Sequence, residues 1–293
     1  MKISTLLQRK QTVYSFEFFP PKNEEEVVHL LSTARTLKSL NPGYISVTWG
    51  AGGGTRRKTL DLVTAIKQDI GIETMAHLTC VGVGRGEIDE IVEEIQRRGV
   101  ENILALRGDP PKGTTSFEAH PEGFLHASEL VAHLRKRSDV CLGVAGYPEG
   151  HPECPNKEKD LDHLQMKVDQ GADFIVTQLF FNTDDFLRFR DRVAARGIRQ
   201  PLVAGIMPIT NVGQVKRFTT LCGARIPDPL SVALEKVQDN AEAVIRLGID
   251  YATDQCRVLL AEGVPGIHFY TLNRSHSTAE ILRRLTPLTS SPK

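Results

Sequence analysis

The sequence predicts an α/β protein folded as one (β/α)8 TIM barrel. Three observations carry this. Short β-branched and aromatic runs alternate with longer segments of helical period, the runs number eight, and the 293 residues contain no composition break that would mark a second domain. The runs are Val13–Phe19, Tyr44–Trp49, Thr74–Thr79, Asn102–Leu106, Val140–Ala145, Phe174–Gln178, Leu202–Ile206 and Gly266–Thr271. Such alternation implies βα units on a parallel sheet, and this number of units suits a closed barrel better than an open sheet.

The intervening segments support the count. Val27, Leu30, Leu31, Ala34 and Leu37 fall on one helical face, and Asn23 followed three positions later by Glu26 has the pattern of a capping box. Similar stripes occur in Leu60–Ile66, Ile88–Ile95, Leu161–Val168, Phe186–Val193 and Ala243–Leu260. Gly223–Pro229 is the longest irregular stretch after a helix and is expected to loop over the barrel mouth.

Composition narrows the function classes. With 40% hydrophobic and 25% charged residues the chain has the make-up of an ordinary globular protein. Its 36 basic residues balance 36 acidic ones, so no global positive field favours nucleic acid or an anionic membrane. The five cysteines, Cys80, Cys141, Cys154, Cys222 and Cys256, form no Cys-x-x-Cys pair, which fits a reducing compartment. No window approaches the roughly 18 apolar residues of a membrane span, and the N-terminus breaks its apolar stretch too early for a signal peptide. A cytoplasmic protein is expected.

In a barrel, catalytic groups gather where strands end. The strand ends supply Glu17, Thr48, His77, Arg107-Gly108-Asp109, Tyr147 with His151, Gln178, the Pro208 turn and Asn273-Arg274. Each residue also has a plainer reading. Glu17 is compatible with a buried structural ion pair, His77 with a satisfied core histidine, Thr48 with simple β propensity, and Gln178 with a closed hydrogen-bond network. Gly50–Gly54 lacks the Gly-Lys-Ser/Thr ending of a phosphate loop, and Gly82, Gly84 and Gly86 miss the dinucleotide spacing, so both read as turns. Asp160, His163 and Lys167 share one helix face. No His-Glu-x-x-His or dense carboxylate cluster suggests a metal, and none is expected. A mixed rim of acid, amide and cation suits an organic cofactor.

Taken in order, the motifs resemble the methylenetetrahydrofolate reductases. They are Ser15–Lys22 (Ser-Phe-Glu-Phe-Phe-Pro-Pro-Lys), Ser46–Gly50, Ala76–Cys80, Leu104–Asp109, Tyr147–Glu153, Gly171–Phe181, Gly205–Pro208 and His268–Arg274, and they span nearly the whole chain. The resemblance implies a (β/α)8 barrel that carries FAD. It further implies reduction of 5,10-methylenetetrahydrofolate to 5-methyltetrahydrofolate, feeding methionine synthesis, with NADH or NADPH donating hydride at the same flavin face in a separate half-reaction.

Carried over by position, the resemblance makes Glu17 the general acid that helps open the folate's bridging ring. Asp109 becomes the carboxylate between flavin and pterin. Flavin contacts would be Thr48, Trp49, Ala51, His77, Arg107, Gly108, Asp109, Ala127, Tyr147, His151, Asp160, His163 and Lys167. Folate contacts would be Glu17, Thr48, Asp109, Gln178, Gln214 and Arg274, Gln178 also serving the nicotinamide. Trp49 stands where many bacterial members have Tyr. The family leads one to expect a homo-oligomer. Because the chain ends shortly after the barrel, residues 1–293 are expected to be a single catalytic domain without the C-terminal domain through which eukaryotic members respond to S-adenosylmethionine. Three other readings remain open at this point: a flavin barrel serving another one-carbon carrier or acting within a larger electron-transfer complex, a folate- or flavin-binding protein without catalysis, and a structural barrel whose rim residues are incidental.

Overall fold

Every predicted run forms a strand. A computed structural model describes residues 1–49, 56–109 and 119–285. The strands are β1 (Val13–Phe18), β2 (Tyr44–Val47), β3 (Thr74–Thr79), β4 (Asn102–Leu106), β5 (Cys141–Gly146), β6 (Phe174–Thr177), β7 (Leu202–Ile206) and β8 (Gly266–Tyr270). They lie in sequence order, each parallel to the next, and β8 pairs with β1 to close the barrel. Trp49, Gln178 and Thr271 fall just beyond their strands, and β5 sits one residue later than predicted.

The helices are α1 (Ile3–Leu7), α2 (Glu24–Lys38), α3 (Arg56–Ala65, continued by a π-helical turn at Ile66–Ile70), α4 (Arg85–Arg97), α5 (Ala127–Arg137), α6 (Lys157–Asp169), α7 (Thr183–Ala195), α8 (Val212–Cys222), α9 (Asp228–Val237), α10 (Ala241–Ala261) and α11 (His276–Leu285). Among the described residues no helix is long and apolar enough to cross a membrane. The start of α2 departs slightly from a capping box. Asn23 Oδ1 accepts from Glu26 N at 2.8 Å, but the Glu26 carboxylate accepts from Lys22 N, one residue ahead of the cap. The irregular stretch predicted at Gly223–Pro229 is shorter in the structure. Asp228 and Pro229 open α9, because proline is well suited to a helix's first turn, where its missing N–H goes unused.

Side chains alternate across each strand. Outward residues such as Phe16, Phe18, Ile45, Leu78, Ile103, Val144 and Phe269 join Leu30, Leu37, Ile88, Leu134 and Phe186 of the helices in the main core. Inside the barrel, Tyr44, Met75, Leu104, Phe174, Val176 and Val203 pack with Ile3 and Leu7, so α1 plugs the amino-terminal end. Asn102, fully buried at the start of β4, holds the plug. Its Oδ1 accepts from Ile3 N at 2.8 Å, and its Nδ2 donates to Met1 O at 3.1 Å and Thr74 O at 3.0 Å.

Near the other end, β6 and β7 pair through only Ile175–Leu202 and Val176–Val203. Side chains complete the seam: Gly205 N donates to Thr177 Oγ1 at 2.9 Å, and Tyr270 Oη donates to Thr177 O at 2.7 Å. A Cβ on Gly205 would stand 2.3 Å from Thr177 O and 2.9 Å from the Tyr270 ring, so this crossing needs a glycine.

Candidate active site

Barrel interiors are usually layers of branched aliphatic side chains. Here Ser15, Glu17, Ser46, His77 and His268 are all buried. The register explains the cluster, since Ser15 pairs with His268 and Glu17 with Ser46 across neighbouring strands. Glu17 Oε2 lies 3.3 Å from His268 Nε2 in a hydrogen bond. It also lies 3.3 Å from His77 Nε2, without hydrogen-bond alignment, which leaves that buried nitrogen without a hydrogen-bond partner among the described residues. On the far side of His268, Nδ1 meets Ser15 Oγ at 2.8 Å, and the ring stacks on Tyr44 at 5.8 Å between centroids. His268 was missed by sequence reasoning.

Burial alone would push the Glu17 carboxyl up. The charge of His77 and the hydrogen bond from His268 outweigh it and take Glu17 down to about 2. One carboxylate therefore sits between two imidazoles, and Glu17 Oε2, His77 Nε2 and His268 Nε2 are three seats for a proton. The backbone is pinned as well, with Thr271 Oγ1 donating to Glu17 O at 2.6 Å.

This cluster lies at the floor of a cavity of about 900 Å³ at the carboxyl ends of the strands. Glu17, Thr48, Trp49, His77, Arg107, Gly108, Asp109, Tyr147, His151 and Gln178 all line it. Val81, Leu104, Leu106, Val176, Leu179, Met207 and Leu272 supply apolar wall between them. Phe218, Leu221 and Cys222 of α8 close one side, another contribution that the sequence reading missed. The five-residue link after α8 sits on the rim, where Arg225 Nε donates to Glu149 Oε2 at 3.0 Å.

Several rim groups are already engaged. Arg107 makes two bonds to the Glu153 carboxylate, at 2.6 and 2.7 Å. Gly108 has φ 93°, and a Cβ there would come within 2.7 Å of Val81 Cγ1. Gln178 Oε1 accepts from Leu179 N at 2.8 Å. Tyr147 meets His151 edge-on at 4.6 Å, and desolvation, reinforced by Asp109 and Asp160, raises its phenol. Lys167 of α6 donates to Ala145 O at 2.5 Å beside the cavity. Burial brings its amine down to about 8, with Asp160 opposing.

The remaining predicted residues stand apart from the cavity lining. Asp160, His163 and Lys167 lie on α6 behind it, and Ala127 opens α5. Gln214 is one helical turn from Phe218 on α8, and Arg274 is exposed after β8. Ala51 lies outside the described residues.

The fold agrees with what the chain resembles. The family model for methylenetetrahydrofolate reductase matches residues 2–286. The 5,10-methylenetetrahydrofolate reductase of Escherichia coli is 39% identical over 271 residues, covering 92% of this chain and 90% of that one. Methylenetetrahydrofolate reductase (NADH) 1 of Arabidopsis thaliana is 43% identical over 295 residues, covering 97% of this chain and 50% of the plant protein. The chain thus spans about half the length of the plant and fission-yeast relatives it matches. Among solved structures, a Clostridium thermocellum protein described as binding two copies of 5-methyl-5,6,7,8-tetrahydrofolic acid shares the fold, with a TM-score of 0.64, 15% identity and 97% of each chain covered. By the match along its whole barrel, the chain belongs to the methylenetetrahydrofolate reductase family.

Proposed function

We propose that the chain reduces 5,10-methylenetetrahydrofolate to 5-methyltetrahydrofolate with NADH or NADPH, using FAD held at the barrel mouth, the two reactants occupying the site in turn. The observation that carries this is Glu17, a buried carboxylate set between two imidazoles at the floor of a large cavity. A proton donor must reach its substrate, and Glu17 lies on the cavity lining. Family membership and the named relatives support the substrate.

The chain's residues fit a flavin. The apolar wall with a polar rim suits a flat ring system, Gly108 brings backbone to the cavity lining, and Lys167 offers a cation near β5 for phosphate. Thr48, Trp49, Ala51, His77, Arg107, Gly108, Asp109, Ala127, Tyr147, His151, Asp160, His163 and Lys167 are the residues we assign to it. When bound, FAD supplies a carrier that accepts hydride from the nicotinamide and returns it to the folate.

The protein's own part is proton handling and orientation. The Glu17–His77–His268 cluster holds one proton and delivers it through Glu17 to the folate's bridging nitrogen, so that the carbon–nitrogen bond there can open. Asp109, exposed at the rim, presents negative charge to the iminium cation left behind. Gln178 offers a donor and an acceptor to the pterin and, alternately, to the nicotinamide carboxamide, while Gln214 and Arg274 engage the rest of the folate. Balanced charge and scattered cysteines support a cytoplasmic setting. We assign the product to methionine synthesis and the working form to a homo-oligomer.

Anaerobic half-reactions test the reading. The purified protein should be yellow, bleach with NADH or NADPH, and regain colour on addition of methylenetetrahydrofolate. Colour that fails to return overturns the substrate, and protein that takes up no FAD overturns the flavin.

A further inference from the structure

Away from the proton cluster, the loop before α6 and the first turns of that helix bring three unlike ligand atoms together. Cys154 Sγ, an Asp160 carboxylate oxygen and a His163 ring nitrogen all lie within 4.8 Å of one another. Among the described residues this is the only such group of three or more His, Cys, Asp or Glu side chains.

The arrangement is built by local structure. Asp160 and His163 are three apart on α6 and share a face. The loop is held against the helix start, with Cys154 N donating to His151 O at 2.8 Å and Asn156 Oδ1 accepting from Glu158 N and Lys159 N at 2.9 and 3.1 Å. Asp160 is oriented too, its Oδ2 accepting from His151 N at 3.3 Å. Cys154 and Asp160 are half-buried and His163 is exposed.

We propose that Cys154, Asp160 and His163 form a zinc site, and that zinc bound there keeps FAD from loading. Sulfur with imidazole selects against magnesium and calcium, which take oxygen ligands, and favours zinc. A thiolate and a carboxylate together balance the charge of the dication, the thiol proton leaving to solvent as the metal binds. Zinc–ligand distances of about 2.0–2.3 Å place neighbouring donors of a tetrahedron roughly 3.5 Å apart. Side-chain rotation within the present 4.8 Å spread closes the donors to that spacing, and water takes the fourth position. The competition rests on the flavin reading above, which gives Asp160 and His163 to the cofactor. Neither side chain can serve both at once.

Zinc alone is titrated into the flavin-free full chain against a chromogenic chelator, with a non-thiol reductant present. One zinc per chain is expected. Cys154→Ser and Cys154→Ala should weaken it by about a hundredfold or more, since even groups behind the ligands are worth about 10–100-fold. Saturating FAD should suppress zinc uptake by the parent, and zinc should block FAD fluorescence quenching in the parent but not in the Cys154 variants. If both Cys154 variants bind zinc as tightly as the parent, the site is overturned. If zinc and FAD bind together, the competition is overturned. A chain that takes up zinc but never FAD defeats the flavin reading and the competition with it, and leaves the zinc site established.

Discussion

The side-chain amide of Asn273 grips the backbone of Phe19 on both edges, its Oδ1 accepting from Phe19 N at 2.8 Å and its Nδ2 donating to Phe19 O at 3.0 Å. Two residues earlier, Thr271 holds Glu17 O. Leu272 and Asn273 adopt left-handed backbone, with φ 52° and 61°, a conformation asparagine tolerates better than most residues. The exit of β8 therefore sets the exit of β1, and with it the place of the Glu17 carboxylate near that strand's end. Asn273→Ala should lower unfolding free energy by about 1–3 kcal/mol in urea, by removing two bonds to backbone groups. Asn273→Gly relieves the left-handed strain yet lacks the clasp. Alanine adds left-handed strain of its own, so an alanine variant as stable as the parent would show that the clasp contributes nothing.

Glu17→Gln keeps shape and removes the carboxylate through which the cluster's proton passes. Reduction by the nicotinamide should stay close to the parent's rate, while the folate step should fall by about 10²–10⁴-fold, the usual worth of a positioned acid. Stopped-flow absorbance of each half-reaction separates the two. Equal loss in both would end the acid role.

The same residue makes a pH prediction for the folded protein. Its carboxyl lies at about 2 against an ordinary value of 4.5. A lowered acid contributes stability that is fully present above its unfolded value and is lost as pH falls through 4.5 toward 2. The stability gap between parent and Glu17→Gln should shrink over that range. Denaturant melts at pH 6 and pH 3 measure it, and an unchanged gap would contradict the coupling to His77 and His268.

Lys167 behaves oppositely, because a lysine near 8 loses its charge within a workable range. If its cation receives a flavin phosphate, FAD affinity should decline as pH rises through about 8. Lys167→Met should bind more weakly at pH 7 and show a flatter profile up to pH 9.5. Parallel profiles in a fluorescence titration would separate Lys167 from the cofactor.

Gly108→Ala should destabilise the chain, since its φ of 93° disfavours any side chain and the new methyl meets Val81. Adding Val81→Ala should restore only part of the loss, the backbone strain remaining. Full restoration in thermal melts would assign the whole effect to the clash.

The strands were legible because a parallel barrel buries both faces and leaves each strand as a short apolar run ending in polar residues. That made Glu17, His77, Arg107 and Gln178 visible as rim residues. His268 had a signal that went unused: in Gly266–Tyr270, Ile267 and Phe269 alternate with His268 and Tyr270, which marks polar groups on the inner face. Its partnership with Glu17 depends on the β1–β8 register, which no local pattern fixes. Helix α1 is too short for a period to show, and α8 divides its apolar residues between two tasks. Val212 and Val215 pack inward, Phe218 packs against the same cluster and also lines the cavity, and Leu221 lines the cavity while exposed. Gln214 and Arg274 lie off the cavity lining, and spacing alone could not say so.

Because α1 stoppers the amino-terminal end of the barrel, the chamber above Glu17 is a cul-de-sac. Whatever reaches its floor enters and leaves by the mouth. Two bulky reactants that both occupy that chamber must queue, and the first must depart before the second is admitted. On the proposed chemistry, alternation between nicotinamide and folate is then imposed by the architecture, and a small inhibitor lodged at the mouth would hold up both.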